Sequence, residues 1–298
     1  MGDLLKDKVA IVTGSGQGIG REHALALAAE GAKVVINDIE PGKAEEVATI
    51  IGERGGEAVP NGDTVADFEA ARRIVQTAVD AYGRLDVVVN NAGNFQYTLF
   101  HEMTEKMWDD IIAVHLKGTF NVCRHAVPIM MEQRYGRIVN TASSQWRNPE
   151  GRAAYGAAKG GIVTLTYDLA WELRNHGVTV NAIAPLANTG RMDLNRGLHE
   201  TMVDAGLVPE SRRSFGGGMP GPEDNAPMVV YLASGLAEKV NGCVFRVGGG
   251  KIALYSHPTE VKSVHRDYEN EGPWPIEQLI ELLPRTALAG ETKGANLP

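Results

Sequence analysis

Tyr155 and Lys159 stand four residues apart in Ala154-Tyr155-Gly156-Ala157-Ala158-Lys159. On a helix that spacing places both side chains on one face. A phenol ionises near pKa ~10, and a neighbouring ammonium favours its phenolate. A tyrosine so placed could exchange a proton with an alcohol or carbonyl oxygen near neutral pH. The same chemistry needs a hydroxyl to hold the reacting oxygen, and Ser143 and Ser144 follow the strand-like run Arg137-Ile138-Val139-Asn140. Alone, a tyrosine and lysine at this spacing form an ordinary exposed helical pair; their meaning depends on what accompanies them.

The accompaniment begins at Thr13-Gly14-Ser15-Gly16-Gln17-Gly18-Ile19-Gly20, after the apolar run Val9-Ala10-Ile11-Val12 and before a helix-like stretch. A continuous apolar run is how a buried parallel strand reads. The glycines permit a tight turn and bring backbone N–H groups toward a pyrophosphate at a helix N-terminus. A second apolar run, Val34-Val35-Ile36, leads to Asp38, 18 residues past Gly20. A carboxylate there can accept hydrogen bonds from an adenosine ribose. Asp38 would repel a ribose 2′-phosphate, and neither Gln17 nor Ile39 brings a compensating positive charge. Arg21 is nearby but begins the helix, so NAD(H) is expected over NADP(H).

Strand-like and helix-like stretches alternate around these motifs. Strands are expected at Val9–Thr13, Lys33–Asp38, Glu57–Asn61, Leu85–Asn90, Gly136–Thr141, Val178–Ala184 and Cys243–Val247. Helices are expected at Ile19–Glu30, Lys43–Arg54, Asp67–Tyr82, Trp108–Arg134 and Ala153–His176, with Pro128 kinking or dividing the fourth. Strands spaced by such helices imply a parallel sheet with right-handed crossovers. The segment 194–224 breaks the rhythm, holds Gly216-Gly217-Gly218, Pro220 and Pro222, and reads as a mobile helical lid. After Val247 the chain continues without an obvious further strand–helix unit.

Taken together, these motifs resemble the short-chain dehydrogenase/reductase family over roughly residues 5–250. The resemblance rests on Thr13-Gly14-x-x-x-Gly18-Ile19-Gly20, Asn90-Asn91-Ala92-Gly93, the serine pair, Tyr155-x-x-x-Lys159 and Val180-Asn181-Ala182-Ile183-Ala184-Pro185. It implies an α/β fold: a single Rossmann-type doubly wound domain over 1–250, with a seven-stranded parallel sheet and a C-terminal extension over 251–298. It also implies reversible hydride transfer with a nicotinamide cofactor. By position, Tyr155 corresponds to the proton donor and acceptor, and Lys159 to the residue that lowers its pKa and binds the nicotinamide ribose. Gly14, Gln17, Gly18, Ile19 and Gly20 correspond to the phosphate turn, and Asn91, Ala92 and Gly93 to contacts beside the ribose. Asp63, with Thr64 beside it, matches the acid that bonds the adenine amine.

Three departures from the family pattern stand out. The active-site serine is Ser143 when counted from the strand end at Asn140, with Ser144 as the alternative. His115, in Val114-His115-Leu116-Lys117-Gly118, stands where the family often has an asparagine of a proton relay. It could donate a hydrogen bond, shuttle a proton, or be a structural histidine bonded to a backbone carbonyl. After Pro185, the loop reaches Thr189 sooner than usual for a residue binding the carboxamide. Gln145, Trp146, Asn148, Phe95 and Met192 are candidate pocket residues, with ordinary loop packing as the plainer alternative. The segments around His115 and Arg191-Met192 are similar to 3-hydroxyacyl-CoA dehydrogenase units and to hydroxysteroid dehydrogenases. A 3-hydroxyacyl thioester, a terpenoid and a steroid remain as substrates. A catalytically inactive NAD-binding scaffold, and a lyase or epimerase on the same fold, are the other classes.

The 298 residues carry a formal net charge of −8 and no basic cluster, which argues against nucleic acid or an anionic membrane as partner. Cys123 and Cys243 are too few for a disulfide framework and lack metal-ligand spacing. No metal is expected. No signal-like apolar segment opens the chain, and Lys6 stands where a myristoylation motif wants Ser or Thr, so a cytoplasmic setting is expected. A helix over 153–176 bearing Ile162, Leu165, Leu169 and Leu173, with Tyr167 and Trp171 on another side, is apolar on more than one face. With the resemblance, that implies a homo-oligomer, a tetramer by family. The extension carries Lys251-Ile252-Ala253-Leu254-Tyr255, and a short amphipathic helix after Pro275, and is expected to pack on the body or on a neighbouring subunit.

Overall fold

The structure, a computed structural model, describes residues 2–94, 98–147, 152–188, 196–204, 206, 210 and 219–289. Phe95, Asn148, Thr189, Met192 and Gly216-Gly217-Gly218 lie outside the described residues. In chain order the main elements are β1 (Val9–Thr13), α1 (Gly18–Ala29), β2 (Lys33–Asn37), α2 (Pro41–Glu53), β3 (Glu57–Asn61), α3 (Phe68–Tyr82), β4 (Val87–Asn90) and α4 (Glu105–Ile112). A π-helical turn, Ala113–Lys117, joins α4 to α5 (Gly118–Gln133). Then follow β5 (Gly136–Thr141), α6 (Ala153–Leu173), β6 (Val178–Pro185), α7 (Arg196–Asp204), α8 (Ala226–Ala233), β7 (Val244–Gly248), β8 (Lys251–Leu254), α9 (Tyr268–Glu271) and α10 (Ile276–Leu282).

The sheet order is β3-β2-β1-β4-β5-β6-β7-β8. The first seven strands pair in parallel, with the order reversing between β1 and β4. Side chains alternate across a strand, so each strand feeds both faces. Ala10 and Val12 join the layer under α1, α2 and α8, while Val9 and Ile11 join the layer under α3, α5 and α6.

Two features differ from the sequence-based expectation. The sheet has eight strands rather than seven parallel ones, because Lys251–Leu254 pairs antiparallel with β7. Gly248, Gly249 and Gly250 have φ of +129°, +63° and +71°, a backbone path that L side chains resist, and they fold the chain back on the edge. The long fourth helix is divided, but not at Pro128, which lies inside α5; the division is the π turn ahead of Gly118.

The chain forms two compact units, Met1–Tyr255 and Ser256–Pro298, so Lys251–Tyr255 belongs to the first. The second is organised by Arg266. Its guanidinium donates to Gly272 O at 2.9 Å and Glu271 O at 2.7 Å, bonds Gln278, and stands 5.5 Å from the Trp274 ring centre. The helix after Pro275 is α10. Among the described residues no helix is long and apolar enough to cross a membrane.

His23 is fully buried on α1, and burial lowers its pKa from 6.5 to about 3. The folded chain therefore holds this imidazole neutral, while the unfolded chain takes up a proton below about 6.5. Stability must fall as pH drops from about 6.5 toward 3, by an amount on the order of a few kcal/mol. His23→Met should flatten the acid limb of a melting-temperature-versus-pH profile; an unchanged acid limb would show that other groups govern it.

Candidate active site

The site gathers where the parallel strands end. Thr13, the last residue of β1, accepts the backbone N–H groups of Asn91 and Ala92 on its hydroxyl, both at 3.0 Å. Asn91 returns two bonds from Nδ2, to the carbonyls of Thr13 and Gly14, each at 3.0 Å. Gly14 has φ +61°, and a Cβ there would lie 2.7 Å from Ala92 Cα, so only glycine fits beside the end of β4. Ser15 donates to Val12 O at 2.7 Å, which closes the turn. Helix α1 then starts at Gly18 with no side-chain cap from Gln17. Its first-turn N–H groups and positive dipole end fit an anion such as a pyrophosphate.

Asp38, directly after β2, lies over this turn: its Oδ2 accepts from Gly16 N at 2.9 Å, and its Oδ1 from Glu40 N at 3.1 Å. The sequence reading finds no cation here, but α2 supplies one. Lys43 Nζ lies 3.1 Å from Gln17 Oε1, and it is paired with Glu40 at 2.6 Å. Asp63 is tied to Arg73 by an ion pair at 2.5 Å and receives Asn61 Nδ2 at 3.1 Å, while its backbone carbonyl takes Asn37 Nδ2. Thr64 accepts from Ala66 N at 3.2 Å. These two residues hold the loop after β3 together. The glycine turn, the acid after β2 and the uncapped helix form a cradle suited to a dinucleotide.

The second half of the site hangs from β4 and β5. Asn90 and Asn140 face each other in the strand register and share a 2.9 Å bond, and Asn140 Nδ2 donates to Thr166 Oγ1 at 3.0 Å. That buried thread fixes α6 against the sheet, and with it Tyr155 and Lys159. Lys159 donates from Nζ to Thr141 O at 2.5 Å. Of the two serines, Ser143 is the one whose side chain hydrogen-bonds Tyr155. Its oxygen also receives Gln145 N at 3.3 Å, which leaves the hydroxyl proton for the phenol. Ser144 begins a short 3-10 turn, Ser144–Trp146.

Burial governs the electrostatics of the pair on α6. Burial raises the Tyr155 pKa, opposed first by the Ser143 hydrogen bond and then by the charge of Arg152. Burial brings Lys159 itself down to about 7, and its amine points at a carbonyl, 5.4 Å from the centre of the Tyr155 ring. Arg152 escaped the sequence reading, although an arginine where a helix wants a short cap residue was a signal.

His115 sits in the π turn, buried, with Nε2 2.8 Å from Asn94 O. A carbonyl can only accept, so Nε2 carries the proton. The ring meets Tyr155 edge-on, centroids 5.1 Å apart at 89°. His115 is thus the backbone-bonded histidine and a direct neighbour of the phenol. Trp146 meets Tyr255 edge-on at 5.7 Å and packs beside Ala142, Val163 and Val244, while Gln145 is buried. Pro185 ends β6 opposite Val247. A small, shallow recess is lined by Thr98, Met103, Met107, Ile111, Arg152 and Tyr155. The i, i+4 spacing of Met107 and Ile111 on α4 was the sequence signal for that wall. Among the described residues no His, Cys, Asp and Glu group could hold a metal ion.

A model of the short chain dehydrogenase family matches residues 8–199. The chain is 38% identical over 246 residues to a 3-oxoacyl-[acyl-carrier-protein] reductase of Staphylococcus aureus, covering 82% of this chain and 97% of that one. It is 40% identical over 255 residues to the mouse (Mus musculus) peroxisomal multifunctional enzyme type 2, covering 82% of this chain but only 32% of that longer protein. A crystal structure of a short chain dehydrogenase from Mycobacterium avium superposes with a TM-score of 0.81 at 38% identity, covering 98% and 97% of the two chains.

Thr13→Val keeps the shape of the residue and removes the acceptor for two N–H groups. The cost should be about 1–3 kcal/mol, read by denaturant unfolding, with weaker dinucleotide binding. A variant as stable as the parent would show that water replaces the hydroxyl without loss.

Proposed function

Because the chain belongs to the short-chain dehydrogenase family, we propose that it is an NAD-dependent oxidoreductase interconverting a secondary alcohol and a ketone. The observation that carries this reading is the grouping of Ser143, Tyr155 and Lys159 beside the dinucleotide cradle. A nicotinamide cofactor, bound there, supplies the acceptor or donor of the hydride. Gly14, Gln17 and the first turn of α1 from Gly18 through Ile19 to Gly20 would hold its pyrophosphate, Asp38 its adenosine ribose, and Asn91, Ala92, Gly93 and Lys159 its other end. Asp63 and Thr64 would flank the adenine, and Pro185 with Thr189 the carboxamide. In reduction, Ser143 holds the carbonyl oxygen and Tyr155 gives it the phenolic proton. In oxidation, the phenolate takes that proton back. Gln145 and Trp146 shape the loop that carries Ser143. His115 positions the Tyr155 ring through its bond to Asn94 O.

A 3-hydroxyacyl thioester is favoured over a terpenoid or steroid, supported by the acyl substrate in the name of the staphylococcal relative. The scaffold alternative requires the site to be silent, so hydride transfer at any substrate excludes it. Tyr155→Phe removes the transferable proton while keeping the ring. Turnover should fall by at least ~10²–10⁴-fold with cofactor binding retained; wild-type turnover would refute the proton donor.

Asp38 is the proposed reason for NAD over NADP. Asp38→Ala with Ile39→Arg exchanges a repulsive carboxylate for a guanidinium that can bind phosphate. The ratio of kcat/KM for NAD and NADP should shift toward NADP, and an unmoved ratio would place discrimination elsewhere, with Lys43 the next candidate.

We further propose a homo-oligomer, a tetramer, with α6 at an interface. On α6, Ile162 and Leu173 are buried while Trp171 is 68% exposed, and Phe120 on α5 is 45% exposed. Such uncovered aromatic surface suits a self-complementary contact. We place residues 256–298 against a neighbouring subunit, and the setting in the cytoplasm. Light scattering should give a tetramer mass for the full chain and a smaller assembly after truncation at Tyr255. A monomer at micromolar concentration would reject the assembly, and an intact tetramer after truncation would reject the role of the tail.

A further inference from the structure

The loop that carries Ser143 has a support from far along the chain. Ser143 caps the single 3-10 turn Ser144–Trp146: its hydroxyl oxygen receives Gln145 N, and its carbonyl receives Trp146 N, both at 3.3 Å. One turn thus ties Ser143 to Trp146. The indole packs beside Ala142, Val163 and Val244 and meets the Tyr255 ring edge-on, centroids 5.7 Å apart at 79°. The Arg147 guanidinium stands 5.7 Å from the centre of the same ring. Two consecutive residues of the serine loop therefore rest on one aromatic side chain. Tyr255 reaches this place because the chain reverses at Gly248, Gly249 and Gly250 and β8 pairs antiparallel with β7, after which Tyr255 N donates to Val244 O at 2.9 Å. On β8 itself Ile252 and Leu254 are 63% and 61% exposed, so the strand buries little of its own apolar surface. What it delivers to the body is the half-buried Tyr255.

We propose that Tyr255 is a positioning residue of the reaction: on the end of β8 it props the Trp146 indole and so keeps the Ser143 hydroxyl on the Tyr155 phenol. This rests on the reading of Ser143 and Tyr155 as the groups that hold and protonate the reacting oxygen. An edge-to-face pair favours one relative orientation of its rings, so it selects one placement of the turn among those a free loop would sample. Without the prop the Ser143 hydroxyl drifts, and the phenol loses the hydrogen bond that opposes the effect of its burial. Its pKa then rises further. The other titratable and charged groups beside that phenol are Arg152 and Lys159, 6.0 and 5.4 Å from the ring centre, and His115, edge-on at 5.1 Å. They stand on α6 and the π turn, not on the serine loop, and stay in place when the loop moves.

Tyr255→Val removes the ring and keeps a residue suited to a strand, with Tyr255→Thr as the second variant should that protein fail to fold. The substrate is the N-acetylcysteamine thioester of 3-hydroxyhexanoic acid, oxidised with NAD. Its kcat should fall roughly 3- to 10-fold, the worth of one aromatic edge-to-face pair, with KM for NAD unchanged. The acid limb of the kcat/KM profile should move to higher pH. An ultraviolet titration of the phenol, taken as the difference from Tyr155→Phe, should move the same way and separates Tyr155 from Lys159. Tyr255→Phe keeps the ring and should restore both readouts, while Ile252→Thr, exposed on the same strand, should change neither. A Tyr255→Val protein with a lower melting temperature but wild-type turnover and phenol titration would make Tyr255 structural only and overturn the proposal. If the wild type does not oxidise the thioester, the hydride-transfer reading fails for it, and the titration decides the prop separately. An upward shift in Tyr255→Val sustains the prop; an unmoved titration sinks it.

Discussion

One hydroxyl, that of Thr13, sets the spacing of the site. It receives two backbone N–H groups from the chain leaving β4, and so it locks the ends of two neighbouring strands at the place where the sheet order reverses. A parallel sheet leaves a crevice at such a reversal. Here its two walls are not free to drift, because Asn91 also bonds back to the carbonyls of Thr13 and Gly14. The turn into α1, the Asn91–Gly93 segment and, through Asn94, the His115 ring are all referred to this point. On the other wall, Asn90, Asn140 and Thr166 carry the same reference inward to α6.

Burial moves the pKa values of Tyr155 and Lys159, both on α6, in opposite directions. It disfavours the phenolate of Tyr155 and the ammonium of Lys159 alike, so the pair tends toward two neutral partners. Opposing that shift at Tyr155 are a hydrogen bond from Ser143 and the charge of Arg152. Lys159 titrates near neutrality, whereas a guanidinium does not.

Much of this was legible before any coordinates. The buried parallel strands read as apolar runs, and β1, β3 and β5 fall on the residues expected. The glycine turn, Asp38 and the Tyr155–Lys159 pair declare themselves by order and spacing. Ser143 was preferred by counting from the end of β5, with Ser144 left as the alternative. Other features were hidden for physical reasons. The strand β8 depends on an available edge of β7, which no local pattern reveals. Lys43 reaches Gln17 across the sheet's end, a contact set by how α2 packs. Pro128 looked like the natural break in its helix, yet the break is at Ala113–Lys117, where no proline or glycine lies within the turn. Arg152 was visible only to a reader asking why a helix should begin with a cation.

The π turn carries an architectural cost and a corresponding leverage. A π turn holds one residue more than the α-helical path it interrupts, and each residue turns a helix by about 100°. The surplus residue therefore sets the angular phase between α4 and α5. Removing it would let the two helices merge smoothly while swinging Met107 and Ile111, which α4 carries, around the axis, away from the phenol. Insertions and deletions of a single residue, rather than substitutions, are thus the edits to which the wall of this recess is most exposed. Related chains that differ by one residue in this stretch should present a different surface to the same tyrosine.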